Sequence, residues 1–265
     1  MKPTQRTGNQ PKRAPKWVVI LVAIVIAVAF AAAVYVRYHQ TSIVQPVATK
    51  TAAKGPAAFN KHQYSLTNPT SIWVVVNKQH PLNPISYAPT DLVVPNIPLR
   101  VPGNETMQVR AVTAQALETM FAAAEQQGID LMLASGYRSY SYQTGLYNGY
   151  VQTQGQAVAD QQSARPGYSE HQTGLAADLE PVSRDCELEQ CFATTPEGLW
   201  LAANGYKYGF IIRYTTGNEN ITGYEAEPWH VRYVGVDLAT ELHNTGVQTL
   251  EQFFGVSGGT TYASP

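Results

Sequence analysis

Residues 169–178 have the sequence SEHQTGLAAD and stand out from the rest of the chain. Leu175, Ala177 and Leu179 occupy every second position, and this alternation predicts a β-strand. Asp178 lies between two of these residues, so we expect it on the opposite, polar face of the strand. The stretch therefore places an acidic side chain at a defined position on a sheet.

A histidine lies shortly before this strand. Gly174 supplies the backbone freedom to fold the chain between His171 and the strand, so His171 and Asp178 could converge on one point. A second histidine lies in residues 227–230, which have the sequence EPWH. A strand would put the glutamate and the histidine of this stretch on opposite faces, whereas a bend at the proline could bring both into one pocket. The spacing alone leaves that geometry open.

The residues in these two stretches have the chemistry of a catalytic metal site. Two imidazoles and one carboxylate, from His171, His230 and Asp178, suit zinc and leave a fourth coordination position open for water. Glu227 is not needed as a ligand and could accept a proton from the attacking water. Histidines near strands and aspartates after glycines are also common in structural roles. The residues alone therefore leave both interpretations open.

The two stretches together resemble a known family. The pattern Ser-x-His-x-x-Gly-x-Ala-x-Asp at residues 169–178, followed by Glu-x-Trp-His at 227–230, is similar to the zinc D-alanyl-D-alanine carboxypeptidases of the VanY type. That family belongs to the superfamily that also holds lysostaphin and the hedgehog signalling domain. The sequence SGYRS at residues 135–139, together with Gln143, is a further similarity. The resemblance extends over roughly residues 73–235.

The resemblance implies a role for each residue of the pattern. His171, Asp178 and His230 would be the ligands of one Zn²⁺ ion. Glu227 would be the catalytic base that activates water and later returns the proton to the leaving amine. Arg138 would bind the terminal carboxylate of the substrate or the developing oxyanion, for which its fixed charge and forked donors are suited. The alternative for Arg138 is a salt bridge at the surface.

The activity that the resemblance implies is hydrolysis of the terminal D-alanine of peptidoglycan stem peptides or their precursors. Gln143 and Ser169 would hydrogen-bond this peptide, and Trp229 would pack against the wall of the pocket. Three alternatives remain: an L,D-carboxypeptidase acting on tetrapeptide stems, a peptidoglycan endopeptidase, and a non-catalytic cell-wall-binding module. The last is expected to lack Glu227 or a metal ligand, and this chain contains all of them.

The rest of the chain predicts an α+β fold in which a small antiparallel sheet, carrying the zinc site, is flanked by helices. The zinc peptidase domain is predicted to span residues 61–256. Helices are expected at residues 113–128, 142–150, 195–205, 236–244 and 250–254. Strands are expected at residues 73–76, 129–133, 208–214 and 229–234. Thr113 and Thr195 are the expected N-caps of the first and third helices.

The N-terminal residues predict a membrane anchor. Residues 1–16 are basic and contain no acid, and residues 17–36 form an uncharged apolar run of the length, about 20 residues, that crosses a bilayer as a helix. The positive arm is expected in the cytoplasm, which makes the chain a single-pass protein of the bacterial cell membrane with an extracytoplasmic catalytic domain. A cleaved signal peptide is the alternative. Residues 37–60 would then be a flexible linker, and residues 257–265 a disordered tail.

The net charge and the two cysteines indicate which kinds of partner and compartment suit this chain. The net charge of −1 gives no case for a nucleic-acid partner. Cys186 and Cys191 are the two cysteines of the chain, and their short spacing favours a small-loop disulfide in an oxidising compartment. A zinc-binding pair is the alternative, but the larger Cys and His cluster of a structural zinc site is absent from the sequence.

Overall fold

The computed structural model describes residues 58–263 and, nearer the N-terminus, the isolated helical positions 28, 29, 31, 32, 34, 35 and 37. The remaining positions of the predicted basic arm (1–16), anchor (17–36) and linker as far as residue 57 lie outside the described residues. Within the described part, no helix is both long and apolar enough to cross a membrane. The residues from Ala58 onward form one compact unit.

Two antiparallel sheets form the centre of this unit. The strands, in chain order, are β1 (Leu92–Val93), β2 (Val109–Arg110), β3 (Leu131–Ser135), β4 (Ala176–Pro181), β5 (Phe210–Tyr214) and β6 (Glu227–Tyr233). β1 and β2 form a two-stranded ribbon, and the other four strands form a sheet in the order β3-β4-β6-β5. Neighbouring strands are antiparallel throughout. The predicted strands near residues 129–133, 208–214 and 229–234 are therefore confirmed.

Helices flank the sheet, as expected for an α+β fold. In chain order they are α1 (Ala111–Glu125), α2 (Tyr140–Gln154), α3 (Gln156–Gln162), α4 (Pro196–Asn204), α5 (Glu219–Thr222), α6 (Val236–Thr245) and α7 (Leu250–Phe254). Short 3₁₀ turns lie at Glu105–Met107, Glu170–Thr173, Gln190–Thr194 and Gly205–Tyr208. The helix α3 was not predicted, because residues 156–162 are mostly polar and show no apolar stripe.

The main core lies between α1 and the sheet. Leu117, Met120 and Phe121 are buried on one face of α1, at the spacing that the sequence predicts. They pack in the same cluster as Leu133 of β3 and Leu179 of β4. Burial of a side chain of this size contributes about 1.5–3 kcal/mol, so this cluster holds the central strands against the helix.

β4 is buried on both faces, since all six of its residues are buried. Ala177 and Leu179 belong to the main core, whereas Asp178 lies on the other face and lines a cavity. The predicted alternation is thus correct, but the face that carries Asp178 does not meet bulk solvent. Gly174, just before the strand, has a φ of +66°, and a Cβ there would lie 2.9 Å from the side chain of Arg110. Only glycine fits this turn without strain.

The predicted helix ends are right for one helix and wrong for another. Thr195 caps α4 by accepting a hydrogen bond from the Gly198 amide, and Gly205 follows the last residue of this helix. Thr113 is not a cap, because α1 begins at Ala111 and Thr113 is buried inside the helix. Threonine is a weaker helix former than most residues, but tertiary burial overrides this propensity, so its identity alone did not locate the helix start.

The predicted strand at residues 73–76 is wrong, because these residues pair with no strand in the described part of the chain. They are buried instead as a segment without regular secondary structure, and Trp73 Nε1 donates to the Val234 carbonyl at 2.8 Å. Phe59 stacks on Trp73 with ring centroids 5.6 Å apart. The ordered domain therefore includes Phe59, which was assigned to the flexible linker, and begins before residue 61.

The predicted disordered tail is wrong for residues 257–263. The Gly259 amide donates to the Ile221 carbonyl at 2.8 Å, and the Ala263 amide donates to the Lys78 carbonyl at 2.8 Å. The Tyr262 hydroxyl accepts from the Arg165 amide at 3.0 Å. These contacts join distant parts of the chain and leave no periodic signal in the tail sequence, which explains why the sequence did not reveal them.

A cluster of buried charges joins the strands of the sheet to the C-terminal helix. Glu170 Oε1 accepts from Arg213 Nε at 2.9 Å and from Arg232 Nη1 at 2.7 Å. Arg213 also forms a bidentate pair with Glu251 of α7. At most 2% of any of these four residues is exposed. Such a cluster is stable only when every member is paired, so the loss of one partner is costly.

Arg213→Met is therefore expected to lower the free energy of unfolding by about 3–5 kcal/mol, because it leaves two buried carboxylates short of a partner. Urea unfolding of the full chain followed by circular dichroism measures this change. Lys207→Met is the control, since Lys207 is exposed and contacts its chain neighbours Asn204 and Tyr206, and the change is expected to cost less than about 1 kcal/mol. Equal losses in the two variants would contradict the account of this cluster.

Candidate active site

Three predicted metal ligands come together where β4 meets β6. Asp178 lies directly opposite His230 in the register of these two strands. The 3₁₀ turn Glu170–Thr173 brings His171 to the same point. One possible ligand atom from each of the three residues lies within 4.8 Å of the others, and all three residues are buried. Among the described residues, this trio is the one cluster of three or more His, Cys, Asp or Glu side chains that meets this condition.

The tautomer of His171 follows from its hydrogen bond. His171 Nδ1 lies 2.6 Å from the Gly136 carbonyl oxygen, and since a carbonyl can only accept, Nδ1 carries the proton. The lone pair is then on Nε2, which lies 3.3 Å from Asp178 Oδ2 and is buried without a hydrogen-bond partner. A buried lone pair facing a carboxylate is unfavourable unless a cation lies between them. The residues therefore fit a bound Zn²⁺ ion.

Glu227 lies beside this trio. His230 Nδ1 lies 3.1 Å from Asp178 Oδ1 and 3.5 Å from Glu227 Oε2. The pairing of β6 with β5 is irregular here. Ile212 pairs with Val231 and Tyr214 pairs with Glu227, so an advance of two residues along β5 corresponds to an advance of four along β6. This bulge in β6 places the glutamate and the histidine of the EPWH stretch in one pocket. The sequence had left that geometry open.

The protonation of these groups follows from burial and from their mutual contacts. Burial raises the pKa of Glu227 to about 7 and lowers the pKa of His171 to about 4. Burial alone would raise the pKa of Asp178, but the two imidazoles lower it below its ordinary value. Burial alone would lower the pKa of His230, but its hydrogen bond to Asp178 raises it to about 9. Asp178 and His171 are thus already in the forms that bind a metal, and His230 must lose a proton to do so.

Arg138 faces the same cavity and is not a surface salt bridge. Its Nη2 lies 3.4 Å from Asp178 Oδ2, and Nη1 donates to Gln143 Oε1 at 3.1 Å. Its Nε is buried without a partner, so the guanidinium retains donors for a further acceptor. A cation next to a metal site is well placed to bind a carboxylate group of a ligand.

Gln143 supports Arg138 and does not line the cavity. Its side chain is fully buried, and its Nε2 donates to Ser163 Oγ and to the Ala164 carbonyl. With Oε1 bonded to Arg138, the amide holds the guanidinium in place. The predicted contact between Gln143 and the peptide is therefore corrected to a positioning role. Ser169, by contrast, lines the small cavity next to the trio, as its predicted role requires.

A groove of about 700 Å³ leads to the site, which is a volume typical of ligand pockets. Arg138, Asp178 and Glu227 line this groove, and Trp229 forms part of its wall, where it was predicted. Trp229 also packs against the main core, so its ring is held in place. The groove is large enough to take several residues of an extended peptide.

Two parts of the groove wall were not recognised in the sequence. Tyr142 and Tyr150 project from one face of α2 and line the groove, although an aromatic stripe of this kind usually packs into a core. Cys186 and Cys191 form the predicted disulfide, and residues 188–191 of the loop that it closes also line the groove. Gln190 in this loop donates to the Ala226 carbonyl, next to Glu227. The short spacing of the cysteines predicts the bond but not its position beside the site.

Comparison with known proteins agrees with this geometry. The family model VanY, D-alanyl-D-alanine carboxypeptidase, matches residues 106–236, which include the trio, Glu227 and Arg138. Putative carboxypeptidase YodJ of Bacillus subtilis is 44% identical over 193 residues, which cover 72% of this chain and 69% of that protein. The chain belongs to the VanY family of D-alanyl-D-alanine carboxypeptidases. The family predicted from the two sequence stretches is therefore confirmed.

Solved structures of VanY-like peptidases have the same fold. The structure of the LD-carboxypeptidase LdcB has a TM-score of 0.67 and 43% identity, and the match covers 72% of this chain and 89% of that chain. A Zn(II) complex of a variant of the vancomycin-resistance D,D-pentapeptidase VanY has a TM-score of 0.55 and 31% identity, covering 68% of this chain and 97% of that chain. The α+β fold inferred for this VanY-family chain is thus found in both D,D- and L,D-acting peptidases.

Proposed function

We propose that this VanY-family chain is a zinc-dependent carboxypeptidase that removes the terminal D-alanine from peptidoglycan stem peptides ending in D-alanyl-D-alanine. The observation that carries the proposal is the buried lone pair of His171 Nε2, which faces Asp178 without a hydrogen bond. Glu227 and Arg138 line the same small cavity as His171. The zinc complex of the related D,D-pentapeptidase supports the choice of metal.

Glu227 is the proposed base of the reaction. Zinc bound to the trio would supply Lewis-acid polarisation of the scissile carbonyl and of the attacking water. Glu227 lies 3.5 Å from His230 and its pKa of about 7 is near neutral pH, which suits a group that accepts and then releases a proton. Its carboxylate would take the proton from water and return it to the amine of the departing D-alanine. The rate is expected to fall as Glu227 becomes protonated at lower pH.

Arg138 is the proposed site for the terminal carboxylate of the substrate. Its forked donors match a carboxylate, and because Arg138 lies 3.4 Å from Asp178, a carboxylate bound to it would lie close to the proposed metal position. A substrate held in this way has its last peptide bond at the metal, which favours an exopeptidase over an endopeptidase. The presence of Glu227 and all three ligands also argues against a non-catalytic wall-binding module.

An L,D-carboxypeptidase is the second candidate. LdcB, described as an LD-carboxypeptidase, has higher identity and a higher TM-score with this chain than the D,D-pentapeptidase VanY has. Both reactions release a terminal D-alanine, and in this chain both would use the same proposed metal, base and carboxylate site. They differ in the residue before the terminal D-alanine, which is a D-amino acid in one substrate and an L-amino acid in the other. An assay with both substrates therefore distinguishes the two activities.

Incubation of the zinc-loaded protein with defined stem peptides, followed by mass spectrometry, tests the proposed function. We expect loss of one alanine from a pentapeptide ending in D-alanyl-D-alanine, whereas cleavage of the tetrapeptide alone would establish the L,D-activity. Glu227→Gln is expected to lower the rate about 10²–10⁴-fold without loss of zinc, because the base is removed and the ligands remain. Glu125→Gln, at an exposed position on α1, is the control. Cleavage of neither peptide by zinc-loaded protein would reject both candidates.

Replacement of Arg138 separates a carboxypeptidase from an endopeptidase. Arg138→Met is expected to lower kcat/KM by about 100-fold or more for a peptide with a free terminal carboxylate. The same change is expected to have little effect on a peptide with an amidated C-terminus, because that substrate never used the guanidinium. Arg165→Met, which breaks an ion pair with Asp160 elsewhere, is the matched control. Equal losses on both peptides would contradict the proposed role of Arg138.

We also propose that residues 17–36 anchor the chain in the bacterial cell membrane, with residues 1–16 in the cytoplasm and the catalytic domain outside. The apolar run and the basic arm support this placement, and the Cys186–Cys191 disulfide suits an oxidising compartment. The full chain is expected to stay in the membrane fraction after alkaline extraction. Its release into the soluble fraction at full length would reject the anchor.

A further inference from the structure

The two oxygens of Glu170 have different surroundings. Oε1 is shared by the two buried arginines, Arg213 and Arg232. Oε2 is buried and has no hydrogen-bond partner, and it lies 3.5 Å from His230 Nε2. His230 Nε2 is likewise buried and without a hydrogen-bond partner. The two unpaired atoms therefore face each other in the interior.

This pair lies on the far side of the His230 ring from the proposed metal position. His230 Nδ1 faces Asp178 and Glu227, whereas Nε2 faces Glu170. When Nδ1 offers its lone pair to a metal, the ring proton is on Nε2, where a carboxylate oxygen is the natural acceptor. The present distance of 3.5 Å is a few tenths of an ångström longer than a good N–H···O hydrogen bond.

The arginine cluster keeps Glu170 in position to act as that acceptor. Arg213 and Arg232 both bind Oε1, which leaves Oε2 as the oxygen that faces His230. Glu251 takes the other side of Arg213, and the two arginines are thus balanced by two carboxylates. The cluster therefore does more than join the strands to α7, because it also presents one unpaired oxygen to a proposed ligand.

We propose that Glu170 is a positioning residue that fixes the tautomer and the ring orientation of His230 for metal binding. This inference rests on the proposed zinc site. Metal-binding histidines commonly donate their second ring N–H to a carboxylate or a backbone carbonyl. His171 Nδ1 has the Gly136 carbonyl as its acceptor, whereas the group nearest to His230 Nε2 on the corresponding side is the Glu170 carboxylate, at 3.5 Å. Only the second arrangement can be removed by a substitution.

Glu170→Gln tests the role, with Glu251→Gln as the matched control. Both changes remove one buried carboxylate from the same arginine cluster, but only the first removes the acceptor at His230. Glu170→Gln is expected to weaken zinc binding about 10–100-fold, measured by competition with a chelator of known affinity. Glu251→Gln is expected to change zinc affinity by less than about threefold, although it is expected to lower stability as well.

Nitrogen-15 NMR of the zinc-loaded wild-type protein provides a readout that does not depend on any variant. We expect His230 to bind zinc through Nδ1 and to carry a slowly exchanging proton on Nε2. In Glu170→Gln this proton is expected to exchange rapidly, and in Glu251→Gln to remain slow. Zinc on Nε2 of His230, or a rapidly exchanging Nε2 proton in the wild type, would overturn the positioning role even if Glu170→Gln does not fold.

The outcomes separate the two proposals. Wild-type protein that binds no zinc would overturn the proposed metal site, and the role of Glu170 with it. Zinc binding that is equally tight in the wild type and in Glu170→Gln would overturn the positioning role alone and leave the proposed function standing. Equal weakening in Glu170→Gln and Glu251→Gln would also overturn it, because it would assign the effect to the stability of the cluster.

Discussion

The antiparallel pairing of β4 with β6 is the constraint on which the rest of the site depends. It places Asp178 directly opposite His230, so the carboxylate and the imidazole meet without any adjustable loop between them. The turn before β4 adds His171, and the bulge in β6 adds Glu227. A shift of one residue in this register would move Asp178 to the other face and dismantle the site. The relative position of the proposed metal ligands is therefore a consequence of the sheet register.

Two buried layers hold that register. On one side, α1 packs against β3 and β4 through the main apolar core. On the other side, the arginine cluster joins Glu170 in the turn to Arg213 and Arg232 on neighbouring strands and to Glu251 in α7. Glu170 and His171 are adjacent in the chain, so the same turn supplies both a partner for the buried cluster and a proposed ligand. We therefore expect the stability of the domain and its proposed metal binding to be coupled at this turn.

The sequence predicted those parts of the fold that depend on local pattern. The alternation around Asp178 and the cap at Thr195 were correct, because each has a local physical cause. The tail was wrong, since Tyr262 packs through contacts that are distant in sequence. At the site, family resemblance identified the trio and Glu227, which lie together as expected. The burial of Gln143 behind Arg138 depends on a tertiary contact that no local pattern encodes.

His171, Asp178 and His230 are proposed to bind one zinc ion through defined atoms. The most direct test is a crystal structure of the zinc-loaded protein with anomalous diffraction measured on both sides of the zinc absorption edge. We predict one anomalous peak per chain, coordinated by His171 Nε2, an Asp178 oxygen and His230 Nδ1. No peak between these residues, or a zinc ion bound elsewhere with this trio free of metal, would contradict the account.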